Sequence, residues 1–432
     1  MSGLSTGGRA FTPGYRERLR DREQITNLRT SAQWRFGLRH LLFCASMVVL
    51  IFSNDKNYAE ASQVIGVGLV ILSGGAFFAT TTRKPISITI FDAIILISIF
   101  LSYCATVISQ EVFVLAYTTL FLVAYVSIMV IAQRATHDEL KACIQVSIIV
   151  ILALVVLFFG NNLLAILTPG AVRRWQLREA PFGMHPNLAG FVYGGFIIMA
   201  ANSQFSTSRR NKLIKPAIIL LCLAVMIAAS ARGGLLAVIL TLAVYVFTEV
   251  VRGRNSRVYI VLICFALIIF SFVFWDQILA YATEMFDLNS KQRGLESGGT
   301  GRFDIWQRGV EYIANRNWEI FIGSGLRSAT LFPTESSYIN IAIESGVFLM
   351  IATLFCLLSL IWNSYRQQRN EGGFYRFAFY TLLFAMFQSI FNRYLIAIGN
   401  PFSLCILIIA TKASLKVSLR QGPPCSLSPI GA

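Results

Sequence analysis

Charge is scarce in this 432-residue chain: 13% of its residues are Asp, Glu, Lys or Arg, and 56% belong to the hydrophobic set. Soluble domains carry about 25% charged and about 45–50% apolar residues, so the deficit argues against a soluble enzyme. No CxxC pair occurs among the eight cysteines. Cys44, Cys104, Cys143, Cys222, Cys264, Cys356 and Cys405 lie in or beside apolar runs, and Cys425 lies in a polar tail. That spacing gives neither a zinc site nor a disulfide framework. A Walker A sequence, a dinucleotide glycine fingerprint and a cysteine–histidine metal pattern are all missing. The two long polar loops, 161–186 and 278–336, contain no DxD-like acidic pair. A metal-dependent sugar-nucleotide enzyme is therefore not expected, and neither a cofactor nor a metal site is assigned. The N-terminus does not read as a cleavable signal, because its polar lead is long and no small-residue cleavage site follows the first apolar run.

Apolar runs are plentiful. They fall at about 39–53, 60–80, 86–109, 112–132, 142–160, 187–203, 216–230, 235–251, 258–277, 337–363, 377–391 and 401–416. Each span needs about 20 residues, so the length fits one all-α, polytopic membrane helix bundle of about twelve transmembrane helices. Residues 1–38 and 417–432 read as cytoplasmic tails around a single domain over 39–416. The first tail is rich in arginine and suited to anionic lipid headgroups. The net charge of +16, from 37 basic and 21 acidic residues, then reflects basic cytoplasmic loops in contact with a lipid bilayer, not nucleic-acid binding. With the N-terminus inside, every inside segment is basic: Arg83 and Lys84; Arg134 and Lys141; Arg209, Arg210, Lys212 and Lys215; Arg252, Arg254 and Arg257; Arg366, Arg369 and Arg376; Lys412, Lys416 and Arg420.

Against that rule, basic residues also fall outside. Arg173, Arg174, Arg178 and His185 lie in loop 161–186, and Lys291, Arg293, Arg302, Arg308, Arg316 and Arg327 lie in loop 278–336. Arg232 and Arg393 occupy short outer turns. Solvation and pairing with acidic neighbours accounts for any one of them. For the set, an anion-binding cavity at the outer face is the stronger expectation.

The stretch 302–316 has helical periodicity, with Phe303, Trp306, Val310 and Ile313 on one face. It reads as an amphipathic helix that lies over the outer face, caps a cavity, or simply packs onto the bundle. SARGG (230–234) offers Arg232, whose planar fork suits phosphate oxygens; snorkelling to headgroups is the alternative. GMHPNLAG (183–190) opens a span. His185 precedes a proline and is biased toward extended backbone, and Asn187 is assigned as the helix N-cap. Either residue could orient a sugar hydroxyl or a pyrophosphate, or merely start the helix. PTESSYIN (333–340) places Glu335 near a helix N-terminus, where the dipole favours its charged form. It is assigned as a general base acting on an acceptor hydroxyl, with Ser336, Ser337 and Tyr338 adding hydroxyl contacts. Asp92 and Glu344 are intramembrane acids that need partners, and structural hydrogen bonds are expected for both.

In order, HPNLAG, the ARGG turn, TGRFDIWQRG, IGSG (322–325) and ESSYINIAIESG (335–346) resemble the bacterial O-antigen ligase and polymerase superfamily, which also holds exopolysaccharide polymerases. The resemblance runs from about residue 40 to 416. It implies an inner-membrane glycosyltransferase with a long periplasmic loop. Such an enzyme takes a glycan from an undecaprenyl-pyrophosphate carrier at the periplasmic face and joins it to an acceptor hydroxyl, without a metal. Arg232 matches the family's membrane-edge arginine, and Arg302 matches the arginine that opens the loop helix. Glu335 stands where lipid A core ligases usually carry histidine, which looks more like an exopolysaccharide or O-antigen polymerase.

The expectation is thus a polymerase of lipid-linked repeat units. Glu335 and Arg232 are assigned as catalytic, and Arg173, Arg174, His185, Asn187, Arg302 and Tyr338 as substrate-binding. A flippase and a chain-length regulator are candidate partners. The alternatives are a ligase and, in a different class, a transporter or flippase for the lipid-linked polysaccharide. Transporters tend to place polar sites near the midplane on broken helices, whereas the notable charges here gather at outer helix ends.

Overall fold

A computed structural model describes residues 36–55, 57–81, 85–109, 112–166, 180–202, 211–252, 302–317, 319–328, 334–371 and 373–420. The expected span at 258–277, Arg173, Arg174, much of both long loops and most of the two tails lie outside these residues. Among the described residues the structure is helical, with no strand. Fourteen α-helices follow one another there: α1 Leu38–Leu50, α2 Ala59–Thr80, α3 Ile90–Ser109, α4 Val112–Arg134, α5 His137–Ile166, α6 Pro186–Asn202, α7 Asn211–Ala228, α8 Arg232–Arg252, α9 Arg302–Ala314, α10 Glu319–Ile322, α11 Ser337–Ser345, α12 Val347–Glu371, α13 Gly373–Gln388 and α14 Pro401–Arg420.

Five of them are long and apolar enough to cross a membrane: α2, α3, α4, α5 and α12. Their outer faces carry exposed Val64, Leu72, Phe100, Leu157, Phe158 and Phe355. An apolar surface of that extent is stable against lipid tails and unfavourable in water. By contrast α6 and α14 are enclosed on all sides: every residue from Leu188 to Ala200 and from Pro401 to Ser414 is buried. Helices that are apolar all round belong in such a centre. Around them α13 packs on α6, α8, α12 and α14, and α4 joins α14 to α2 and α3.

The polar contacts sort the connections into two ends. At one end Arg39 pairs with Glu139 at 2.9 Å, Gln133 bonds the Ser87 backbone, and Arg376 donates to the Tyr245 hydroxyl at 2.8 Å. Lys215 there donates to the Ala201 carbonyl, and Lys412 donates to the carbonyls of Ala132 and Ala135 at the C-terminus of α4. At the other end Phe52 stacks edge-on with Phe182 at 4.6 Å, Arg327 lies over Tyr117, and Ser337 bonds Asn392. Among the described residues, Lys215, Arg376 and Lys412 of the segments assigned to the inside therefore share one end, and the candidate motifs share the other.

Asp92 has the structural partners expected of a buried acid. Its carboxylate accepts from Thr89, Tyr125 and Thr411. One expected span is corrected: 337–363 is broken into α11 and α12 at Gly346, whose φ of 88° is a left-handed value that glycine tolerates. A Cβ there would collide with the Phe321 carbonyl of α10. The IGSG segment fills the break, Ser324 N–H donating to the Ile343 carbonyl and Gly325 N–H to that of Glu344.

Candidate functional site

The HPNLAG motif starts α6, but its roles differ from those read in the sequence. The helix begins at Pro186, a residue suited to the first helical position because it has no N–H to leave unbonded. His185 therefore takes the capping position: its Nδ1 accepts the Asn187 backbone N–H at 3.3 Å. Asn187, expected to cap, lies inside the first turn. Its side chain is thereby released from capping and used elsewhere.

Asn187 joins the two charged candidates. Its Oδ1 accepts from Arg302 Nη2 at 3.0 Å, and its Nδ2 donates to Glu335 Oε2 at 3.1 Å. Arg302 Nε stands 3.6 Å from the same carboxylate oxygen. That is an ion pair just beyond hydrogen-bond reach, so this buried Nε has no hydrogen-bond partner among the described residues. The guanidinium lies over the Phe391 ring, 5.3 Å from its centroid, in the manner of a cation–π contact. Burial pulls the Arg302 guanidinium below its usual range, and the Glu335 charge opposes the shift.

Glu335 is held in an unusual backbone state. Its φ is 52°, a left-handed value uncommon for residues other than glycine. Ser336 is the N-cap of α11, and its side chain makes no capping bond. Glu335 thus precedes the cap, and its carboxylate is met by Asn187 and Arg302. The first turn of α11 is pinned to the end of α13. Ser337 N–H donates to the Ser389 carbonyl at 2.9 Å, Ser337 Oγ to the Asn392 carbonyl at 2.7 Å, and Tyr338 OH to the Met386 carbonyl at 2.8 Å. The hydroxyl of Tyr338, read as a substrate contact, thus commits its proton to the backbone and keeps its acceptor capacity.

Arg302 opens α9, confirming a helix over 302–314. The apolar face is divided: Trp306 and Ile313 are half-buried. Phe303 and Val310 remain 63% and 55% exposed, whereas Gly309 is buried. A Cβ on Gly309 would come within 2.9 Å of Thr334 and Ile339, so the absence of a side chain lets α9 sit against α11.

The ARGG turn closes on the same end. Ser230 adopts φ 51°, and Arg232 is the first residue of α8, half-buried. Gly233 lies against Phe391, which also underlies Arg302, and Gly234 lies against Gly190 of HPNLAG. The structure therefore gathers Arg232, His185, Asn187, Arg302 and Glu335 at one end of the bundle, with Asn187, Arg302 and Glu335 in direct contact.

Sequence reasoning missed the end of α13. Gln388 is fully buried, donates weakly to the Asn187 carbonyl at 3.5 Å, and leaves its Oε1 without a partner among the described residues. Phe391 and Asn392 support Arg302 and Ser337. The signal was the polar break QSIFNR at 388–393 after an apolar run.

No curated protein matches the chain. A family model described as O-antigen ligase matches residues 217–354. The stretch contains Arg232, Arg302 and Glu335, while His185 and Asn187 precede it. The match agrees with the motif resemblance: residues 217–354 are similar to the O-antigen ligase family, in a chain with five helices long and apolar enough to cross a membrane.

Proposed function

We propose that the chain is an inner-membrane glycosyltransferase that polymerises lipid-pyrophosphate-linked oligosaccharide repeat units at the periplasmic face. About twelve spans put both ends in the cytoplasm, and the end that gathers Arg302, Asn187 and Glu335 faces the periplasm. The observation that carries this reading is the Asn187 bridge between Arg302 and Glu335. Transfer from a lipid diphosphate needs a cation where the leaving group gathers charge and a base where the nucleophile loses its proton. The bridge holds one of each within a few ångströms.

In the proposed step, an acceptor hydroxyl gives its proton to Glu335 and its oxygen bonds to the anomeric carbon. The bond from that carbon to the diphosphate oxygen breaks, and the diphosphate-lipid departs with the electron pair. Arg302 and Arg232 meet its charge, with Arg173 and Arg174 assigned to the same task. His185 positions the acceptor. In the resting arrangement Arg302 and Asn187 both contact the Glu335 carboxylate. A diphosphate that binds Arg302 draws the guanidinium away and leaves that side of the carboxylate open to the acceptor hydroxyl.

A ligase is the second reading, favoured by the description of the matching family. The acceptor separates the two: lipid A core for a ligase, another repeat unit for a polymerase. A transporter without chemistry finds no support in the family match. The test is the purified full chain in liposomes with a lipid-pyrophosphate oligosaccharide and a chelator. Lengthened products support polymerisation. Products formed only when lipid A core is added identify a ligase, and an unchanged donor in both cases removes the transferase reading.

A further inference from the structure

Beside the Arg302–Asn187–Glu335 constellation lies a cavity of about 140 Å³ that the proposed transfer step does not use. Its walls include Arg327, Arg393, Glu344, Asn340, Asn54 and Gln63. It shares structure with the constellation on two sides. Leu188, which follows Asn187, lines it, and so does Asn340, whose Oδ1 accepts from the Thr334 hydroxyl next to Glu335.

The lining has a definite chemistry. Arg327 is held at the wall by its contact over Tyr117, 4.8 Å from the ring centroid. Glu344 Oε1 accepts the Arg327 backbone N–H at 3.0 Å, so the one carboxylate in the wall is partly committed to the backbone. Two guanidiniums and one carboxylate leave a net positive cavity. The amides are anchored at one point each: Asn54 Nδ2 donates to Ser53 Oγ, Gln63 Nε2 to the Ser53 carbonyl, and Asn340 accepts through Oδ1. The opposite end of each amide makes no bond among these contacts and is suited to a ligand hydroxyl. One water needs about 10–15 Å³ measured in this way, so the cavity holds on the order of ten waters, about the heavy-atom count of one sugar ring.

From this lining we infer that the cavity is a subsite for one acidic sugar of the glycan, a uronate-type pyranose. Arg327 and Arg393 take its carboxylate, and the amides take its hydroxyls. The inference rests on the glycan-processing reading above and adds a substrate preference to it. A diphosphate is a poorer fit, because its several negative charges would face Glu344 in the same wall.

The test uses the full chain in lipid nanodiscs and three soluble probes without a lipid carrier: a uronate-containing oligosaccharide, its neutral counterpart, and inorganic pyrophosphate. Saturable binding of the acidic oligosaccharide is expected, with the neutral one at least about tenfold weaker, the loss of one charge-assisted contact. Arg393→Gln should weaken the acidic probe by a similar factor, leave the neutral one unchanged, and be partly rescued by Arg393→Lys. The comparison of probes on the unaltered chain does not depend on any variant folding. Equal binding of acidic and neutral probes, displacement of the acidic one by pyrophosphate, or no saturable binding at all would overturn the inference. Glu335→Gln should sharply slow transfer and keep this binding. A chain that prefers the acidic glycan but forms no product loses the transferase reading alone. One that forms product without an Arg393-dependent preference loses the subsite alone.

Discussion

Gly190 and Gly234 meet back to back, so closely that a Cβ on Gly234 would stand 2.5 Å from the Gly190 Cα. Small residues let helix backbones approach in membranes, and here the approach joins HPNLAG to ARGG. Gly234→Val should therefore separate α6 from α8. Overpacking of this kind costs about 1–3 kcal/mol, so a lower melting temperature in detergent is expected, with transfer activity lost out of proportion because Asn187 and Arg232 move apart. An unchanged melting temperature would contradict the packing.

Glu335→Gln keeps the size of the side chain and removes its basicity. Elongation should fall by about 10²–10⁴-fold, the usual contribution of a general base. Donor binding should hold or improve, since Arg302 loses its competing carboxylate. Product length on gels, together with donor binding to the folded variant, checks both. Normal elongation would remove Glu335 as the base.

Asn187→Asp tests the bridge. The new carboxylate can still accept from Arg302 Nη2, but it cannot donate to Glu335 and repels it. The expected result is lower kcat and weaker donor affinity, because a second carboxylate now competes with the diphosphate for Arg302. Asn187→Ser, smaller and uncharged, should fall between the wild type and the aspartate.

Arg302→Lys keeps the charge and loses the planar fork over Phe391. Loss of a hydrogen bond to a charged group is worth about 1.5–3 kcal/mol, so donor affinity should drop by roughly tenfold to a hundredfold, and Arg302→Ala should lose more. Titration with the lipid-pyrophosphate donor reads the difference.

Lys412 provides a control at the opposite end. Its ammonium donates to two carbonyls that end α4, so Lys412→Glu would face an anion with two carbonyl oxygens. The melting temperature should fall sharply. Whatever fraction folds should keep its donor affinity, because the site lies at the other end of the bundle.

Much of the helical plan was legible because a membrane span must satisfy its own backbone and hide from water, which writes long apolar runs into the sequence. The basic segments marked one end for the same reason. Local breaks were harder to read. The run 337–363 is apolar enough to read as one span, yet it is split at Gly346, because the break is filled by IGSG, about twenty positions earlier in the chain. Asn187 looked like a cap on sequence grounds, but His185 takes that bond. The apolar face of 302–314 stood out in the sequence, but the contact with α11 is made by Gly309, on which the periodicity is silent.

The site divides along the same line. The residue types followed from the sequence: arginines in segments apart from the basic connections that carry Lys215, Arg376 and Lys412, a carboxylate at the start of one apolar run, and a histidine and an asparagine at the start of another. Their excess or cost stood out against the local rule. Which of them touch was decided by tertiary packing, through Gly234 on Gly190, Gly309 on α11, and Phe391 beneath Arg302. The side-chain pattern of one helix carries its own burial and charge, but the meeting of Arg302, Asn187 and Glu335 depends on how closely three separate backbones approach.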